Sequence, residues 1–150
     1  MKIYLAGPLF SAAERAFNAR LRDLLVAANH QVWLPQEREP RRKGARYIFK
    51  ADIQGIDWAE IVIANMDGAD PDSGTCWECG YAYEKKDILI FRTDFRNSDD
   101  PKIGPYNLML TQSATWRIEL PFSSVEQIAD RIVALLSRKA YKQRPRRRRQ

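Results

Sequence analysis

One short stretch restricts the folds open to this chain more than any other. Ile61-Val62-Ile63-Ala64 is apolar without alternation, as expected of a strand buried on both faces in a parallel sheet. It leads through Asp70-Pro71-Asp72-Ser73-Gly74-Thr75, a turn, into Trp77 to Glu84, which reads as a helix. In open α/β sheets ligands bind outside the carboxyl ends of the strands, where such turns lie. Glu78 falls within the first two turns of that helix, where the dipole favours negative charge. A carboxylate held ionised at the lip of a cleft is a candidate nucleophile or base. Asp72, Ser73 and Thr75 equally read as helix caps and Glu78 as a first-turn acid. On this stretch alone, capping is the better account.

The rest of the chain repeats the same alternation. Lys2-Ile3-Tyr4-Leu5-Ala6 reads as a first strand, broken by Gly7-Pro8. Ser11-Ala12-Ala13-Glu14 matches a capping box. The helix behind it sets Phe17, Leu21, Leu24, Leu25 and Ala28 on one face. Gln31 to Pro35 is a second strand, and His30 before it is a turn residue rather than a catalyst. A charged loop from Glu37 to Lys43 precedes a second helix over Tyr47–Trp58, with Ile48, Ala51, Ile56 and Ala59 inward. Asp87 to Phe91 and Trp116 to Leu120 supply the fourth and fifth strands, joined by a polar loop from Arg92 to Gly104. Ser123-Ser124-Val125-Glu126 caps a last helix running to about Lys139. The pattern predicts an α/β fold: a flavodoxin-like doubly wound sheet of about five mainly parallel strands, helices on both faces, the first strand central.

At 150 residues and 45% hydrophobic, the chain suits one domain with a single sizeable core. We place that domain at residues 1–140 and a basic tail at 141–150. The net charge of +6 belongs to the chain end: from Arg138 onward there are eight Lys or Arg, and without them 17 basic residues face 19 acidic ones. Such an arm is normally solvated and touches nucleic acid only nonspecifically. No run is long enough to cross a membrane, and no leader pattern opens the chain, which predicts the cytoplasm. Cys76 and Cys79 form a C-x-x-C, a spacing compatible with a redox pair or half a zinc site. A structural zinc site takes four ligands, so two small apolar residues on a packed helix fit better.

No Gly-x-Gly-x-x-Gly or Gly-Lys-Ser/Thr follows any strand, which removes the main support for dinucleotide or triphosphate binding. No metal-ligand cluster and no cofactor are called for, so the chemistry must run on carboxylates, hydroxyls and amides. Tyr4 on the first strand, Asp52 on the second helix, and Asp72 and Glu78 after the third strand converge on the carboxyl ends of the central strands. A phenol beside a carboxylate holds it in one rotamer. Paired carboxylates acting as nucleophile and acid are the equipment of glycosyl transfer.

Asp72-Ser73-Gly74-Thr75-Cys76-Trp77-Glu78-Cys79-Gly80-Tyr81-Ala82 is similar to the Asp-x-Gly-x-x-x-Glu-Leu-Gly-Tyr-Ala segment of the nucleoside 2-deoxyribosyltransferases. The resemblance extends from Ile3-Tyr4-Leu5-Ala6-Gly7 to Asn107-Leu108-Met109, and the spacings of 6 from Asp72 to Glu78 and 20 from Asp52 to Asp72 agree with it. It implies Glu78 as nucleophile, Tyr4 as its positioning tyrosine and Asp52 as proton donor to the leaving base. It further implies Asp72 at the sugar 5-hydroxyl, and Asn107 with Met109 reaching the same hydroxyl from a neighbouring subunit of a homo-oligomer. Gly7 and Ser73 complete the implied substrate-binding set. The substrates would be a 2-deoxynucleoside and a free nucleobase, exchanged by retaining double displacement. The chain departs from the pattern at Cys79, where the family has leucine, and in its Arg-rich end.

The rival reading is a related 2-deoxynucleoside 5-monophosphate N-hydrolase. Those enzymes place serines where this chain has Asp72 and Asn107. An aspartate there repels a phosphate by roughly 4 kcal/mol at about 4 Å, although Ser73 stands one residue away. A nucleotide-binding module without turnover is the remaining alternative, and it leaves the Tyr4, Asp52 and Glu78 set unexplained. The loop from Glu37 to Arg46 is expected to decide base preference.

Overall fold

A computed structural model of the chain describes residues 1–38, 44–96 and 105–137. The expected tail at 141–150, the domain boundary at 140 and most of the Glu37–Lys43 and Arg92–Gly104 loops lie outside these residues. Five strands form one sheet: β1 (Lys2–Ala6), β2 (Gln31–Trp33), β3 (Ile61–Asn65), β4 (Asp87–Arg92) and β5 (Trp116–Glu119). Their order is β2-β1-β3-β4-β5 and every pairing is parallel. This is the flavodoxin-like arrangement, with β1 inside the sheet and β3 in the middle. All five β3 residues are buried, as the unalternating apolar run requires.

Helices cover both faces, and the two-residue period of the strands sorts side chains between them. Ile3 and Leu5 of β1 pack under α1 (Ala12–Ala27) and α6 (Val125–Leu136). Tyr4 and Ala6 face the other way, toward α3 (Ala45–Trp58), α4 (Ser73–Ala82) and α5 (Leu108–Ser113). Strand order reverses direction between β1 and β3, which puts the connecting helices on opposite faces and opens a crevice at the carboxyl ends.

The capping box on α1 is present, Ser11 accepting from Glu14 and Glu14 reaching back, and α6 has the same device through Ser124 and Gln127. Three elements differ from the sequence expectation. The helix expected over Trp77 to Glu84 runs Ser73–Ala82, so it starts four residues earlier. Pro35–Arg38 forms a single helical turn, α2, where the end of the second strand and a loop were expected, and α5 was not anticipated at all. Both are too short for a 3.6-residue hydrophobic period to register. His30 sits behind Asn29, whose φ of 64° ends the α1 turn, in keeping with a turn role. Among the described residues no helix is long and apolar enough to cross a membrane.

Candidate active site

The parity of β1 is what builds the site. Because Tyr4 points to the α3/α4 face, its ring is fully buried beneath the two helices that carry Asp52 and Glu78. Its phenol donates to Glu78 Oε1 at 2.5 Å. Burial first, then the Glu78 carboxylate, hold the Tyr4 hydroxyl far above its ordinary titration range, so it stays a donor. Asp52, half-buried on α3, acts on the Tyr4 hydroxyl in the same direction, after Glu78.

Glu78 was expected to be held ionised by the helix dipole, and the structure corrects this. It is the sixth residue of α4, beyond the first turn where the dipole acts most strongly. Burial pushes its carboxyl up to about 7, against the Tyr4 bond, which favours the ionised form; the charges of Asp52 and Asp72 add to the rise. A carboxylate half ionised near neutral pH is still nucleophilic and exchanges protons readily.

Asp72 is the N-cap of α4. Its Oδ2 accepts from the Thr75 amide at 2.8 Å and the Thr75 hydroxyl at 2.9 Å. The capping interpretation of this residue is therefore correct, but it employs one oxygen, and Oδ1 takes no part in the cap. Ser73 is exposed as the first residue of α4. Gly7 ends β1 between Asn65 and Asn18; a Cβ there would lie 3.2 Å from Asn65 Cβ, so the glycine permits a close approach of backbone and neighbours.

Tyr4, Asp52, Asp72 and Glu78 are thus brought together, each acting electrostatically on Tyr4 or Glu78. Asn107 and Met109 are not. Asn107 caps α5 through the Met109 amide at 2.9 Å, and Met109 is 71% exposed. Both line a separate groove of about 510 Å³ between α4 and α5, shared with Asp70, Cys76 and Tyr83. Cys76 and Cys79 are free, and burial raises both thiols, which disfavours the reactive thiolate. Among the described residues no three His, Cys, Asp or Glu side chains group as metal ligands.

Several polar residues supporting these strand ends had no signal in the sequence beyond being polar in apolar surroundings. Asn18, on the buried face of α1, donates to the Pro8 carbonyl at 2.8 Å. Asn65, at the end of β3, accepts from the Asp67 amide at 2.8 Å. Thr75 is 1% exposed beneath Asp72, and Arg92 is 2% exposed at the end of β4.

Comparison with known proteins identifies the chain's relatives. The model of a family described as nucleoside 2-deoxyribosyltransferase matches residues 3–111. Among solved structures, a conserved protein from Enterococcus faecalis V583 is 26% identical over 91% of this chain and 99% of its own, with a TM-score of 0.72. A 2-deoxyribosyltransferase from Bacillus psychrosaccharolyticus is 27% identical, covering 87% of this chain and 91% of its own, at a TM-score of 0.67. Another from Leishmania mexicana is also 27% identical, over 88% and 96%, with the same TM-score of 0.67. No curated protein matches the chain significantly.

Proposed function

The chain belongs to the nucleoside 2-deoxyribosyltransferase family, and from that premise we propose that it moves a 2-deoxyribosyl group between nucleobases by a retaining double displacement. The observation that carries this reading is the buried Tyr4 hydroxyl bonded to Glu78 at 2.5 Å. That bond fixes one carboxylate oxygen and leaves the other to attack. In the first step Glu78 bonds to the anomeric carbon, the glycosidic bond breaks, and Asp52 gives its proton to the departing base. The sugar is then held as a glutamyl ester. In the second step the incoming base returns a proton to Asp52 and displaces Glu78 from the opposite face, the one the first base left. The absence of a 2-hydroxyl on the sugar favours the oxocarbenium-like state through which both steps pass.

Asp72 is assigned to the sugar 5-hydroxyl, accepting through the oxygen its cap leaves over, with Gly7 and Ser73 beside it. The exposure of Asn107 and Met109, away from the Glu78 cluster of their own chain, supports their assignment to the site of a neighbouring copy in a homo-oligomer. Water attacking the ester in place of a base gives slow hydrolysis.

The test is incubation of the purified protein with 2-deoxyinosine, with and without adenine, followed by chromatography. The expected product is 2-deoxyadenosine, formed only with adenine and lost in Glu78→Ala. Free hypoxanthine alone, released faster from the 5-monophosphate, would replace this reading with N-glycoside hydrolysis. No turnover of any 2-deoxynucleoside would refute both.

A further inference from the structure

The proposed reaction gives Arg92 no step, yet it is among the most expensively placed side chains in the molecule. It closes β4 with a guanidinium only 2% exposed. Burying a cation costs several kcal/mol unless its donors are met. Here the two terminal nitrogens are met by carbonyls: Nη1 donates to Met66, and Nη2 to Gly68 at 2.7 Å and Arg96 at 3.1 Å, while Nε is buried without a partner. A site that needed packing alone would take an apolar side chain at no desolvation cost. What a guanidinium adds is a rigid fork that fixes several acceptors at once.

The groups it joins belong to the two segments that carry the proposed 5-hydroxyl contacts, Asp72 and Asn107. Met66 and Gly68 belong to the turn from β3 to α4, which ends at Asp72. Gly68 holds a φ of +119°, a conformation that suits glycine, and its amide donates to Asp94 at 3.2 Å. The turn is laced back to the β4 exit by Asp67, which accepts from the Thr93 and Asp94 amides at 2.5 and 2.8 Å. On its other side the Arg92 guanidinium lies 5.2 Å from the centroid of the Tyr106 ring, and Tyr106 directly precedes Asn107. The turn carrying Asp72 and the segment carrying Asn107 therefore meet on one buried side chain.

We propose that Arg92 is a positioning residue for recognition of the sugar 5-hydroxyl: it sets Asp72 for its own site and Asn107 for the site it is offered to. This rests on the deoxyribosyl-transfer reading above. Arg92 does not figure among the groups that shift the Glu78 titration, so its loss acts first on recognition and reaches the nucleophile only through Asp72.

The experiment compares kcat/KM for a 2-deoxynucleoside with that for its 5-deoxy analogue, which lacks the hydroxyl, in wild type, Arg92→Lys and Arg92→Met. The ratio of the two values is independent of how much enzyme is folded, so partial unfolding of a variant does not obscure it. The expected result is a wild-type preference for the hydroxylated substrate that falls at least tenfold in Arg92→Met, mainly through KM, and is partly restored in Arg92→Lys. A preference that survives in Arg92→Met while only Tm drops would overturn the inference and leave the proposed function standing. A wild type indifferent to the hydroxyl would overturn the inference together with the Asp72 and Asn107 assignments. A wild type inert toward 2-deoxynucleosides would remove the proposed function itself, and this inference with it.

Discussion

Tyr4→Phe isolates the bond on which the site depends. The ring of Tyr4 is fully buried and packed against the sheet face it shares with α3 and α4, so phenylalanine fills the same space and removes one oxygen. That oxygen donates to Glu78 at 2.5 Å, a bond to a carboxylate in a partly dry site. Bonds to charged groups contribute about 1.5–3 kcal/mol, and about 1.4 kcal/mol corresponds to one pH unit. Losing the donor should therefore raise the Glu78 titration from about 7 by roughly 1 to 2 pH units. At pH 7 about half the wild-type population is ionised, and a tenth to a hundredth of the variant would be. The expected loss in kcat/KM at that pH is about 5- to 50-fold, and most of it should return by pH 10. The assay is the pH dependence of deoxyribosyl transfer, with the carboxyl carbon of Glu78 followed in parallel by NMR. An acidic limb at the same pH in variant and wild type would refute the argument. So would a loss equal at every pH, which would mean that Tyr4 acts by packing and not through the hydrogen bond.

Three further outcomes follow from the same geometry. The Glu78 carboxyl titrates higher in the folded chain than in the unfolded one, so between about 4.5 and 7 the folded state binds the extra proton and stability falls as pH rises. Glu78→Gln should therefore raise Tm by several degrees at pH 8 and by little at pH 5, read by differential scanning calorimetry; an equal gain at both would contradict burial as the cause. Asp72→Ala removes the α4 cap and strands the buried Thr75 hydroxyl, at a cost of roughly 2 kcal/mol, whereas Asp72→Asn keeps a capping oxygen and should melt near wild type. Identical urea midpoints for the two variants would show that the cap contributes nothing. In Gly55→Ala the new Cβ would lie 2.5 Å from Trp33 Nε1, and overpacking of about 1–3 kcal/mol outweighs the helix-propensity gain of about 1 kcal/mol. A Tm at or above wild type would mean that the Trp33 ring yields freely.

Much of this protein is written in one dimension, for reasons that concern neighbours along the chain. A strand buried on both faces must be apolar at every position, so Ile61–Ala64 and Ile88–Phe91 declare themselves. A capping box is satisfied within four residues, so Ser11 and Glu14 mark the start of α1 without help from the rest of the fold. Helices of four and six residues complete too few turns to impose a period, which is why α2 and α5 do not appear in the pattern. The sequence also supplies the spacing of Asp52, Asp72 and Glu78, which carries the family resemblance.

Only the tertiary structure decides what those residues do to one another. Whether Tyr4 faces α1 or α4 depends on the register of β1 against β3, and that register brings a phenol under Glu78. The charge state of Glu78 then follows from burial among Tyr4, Asp52 and Asp72, which outweighs the local helix dipole that the sequence suggests. Arg92 reads along the chain as an ordinary cation after a strand. Its three carbonyl partners lie 4 to 26 residues away, and desolvation, the force that gives a buried charge its cost and its use, exists only once the chain has closed around it.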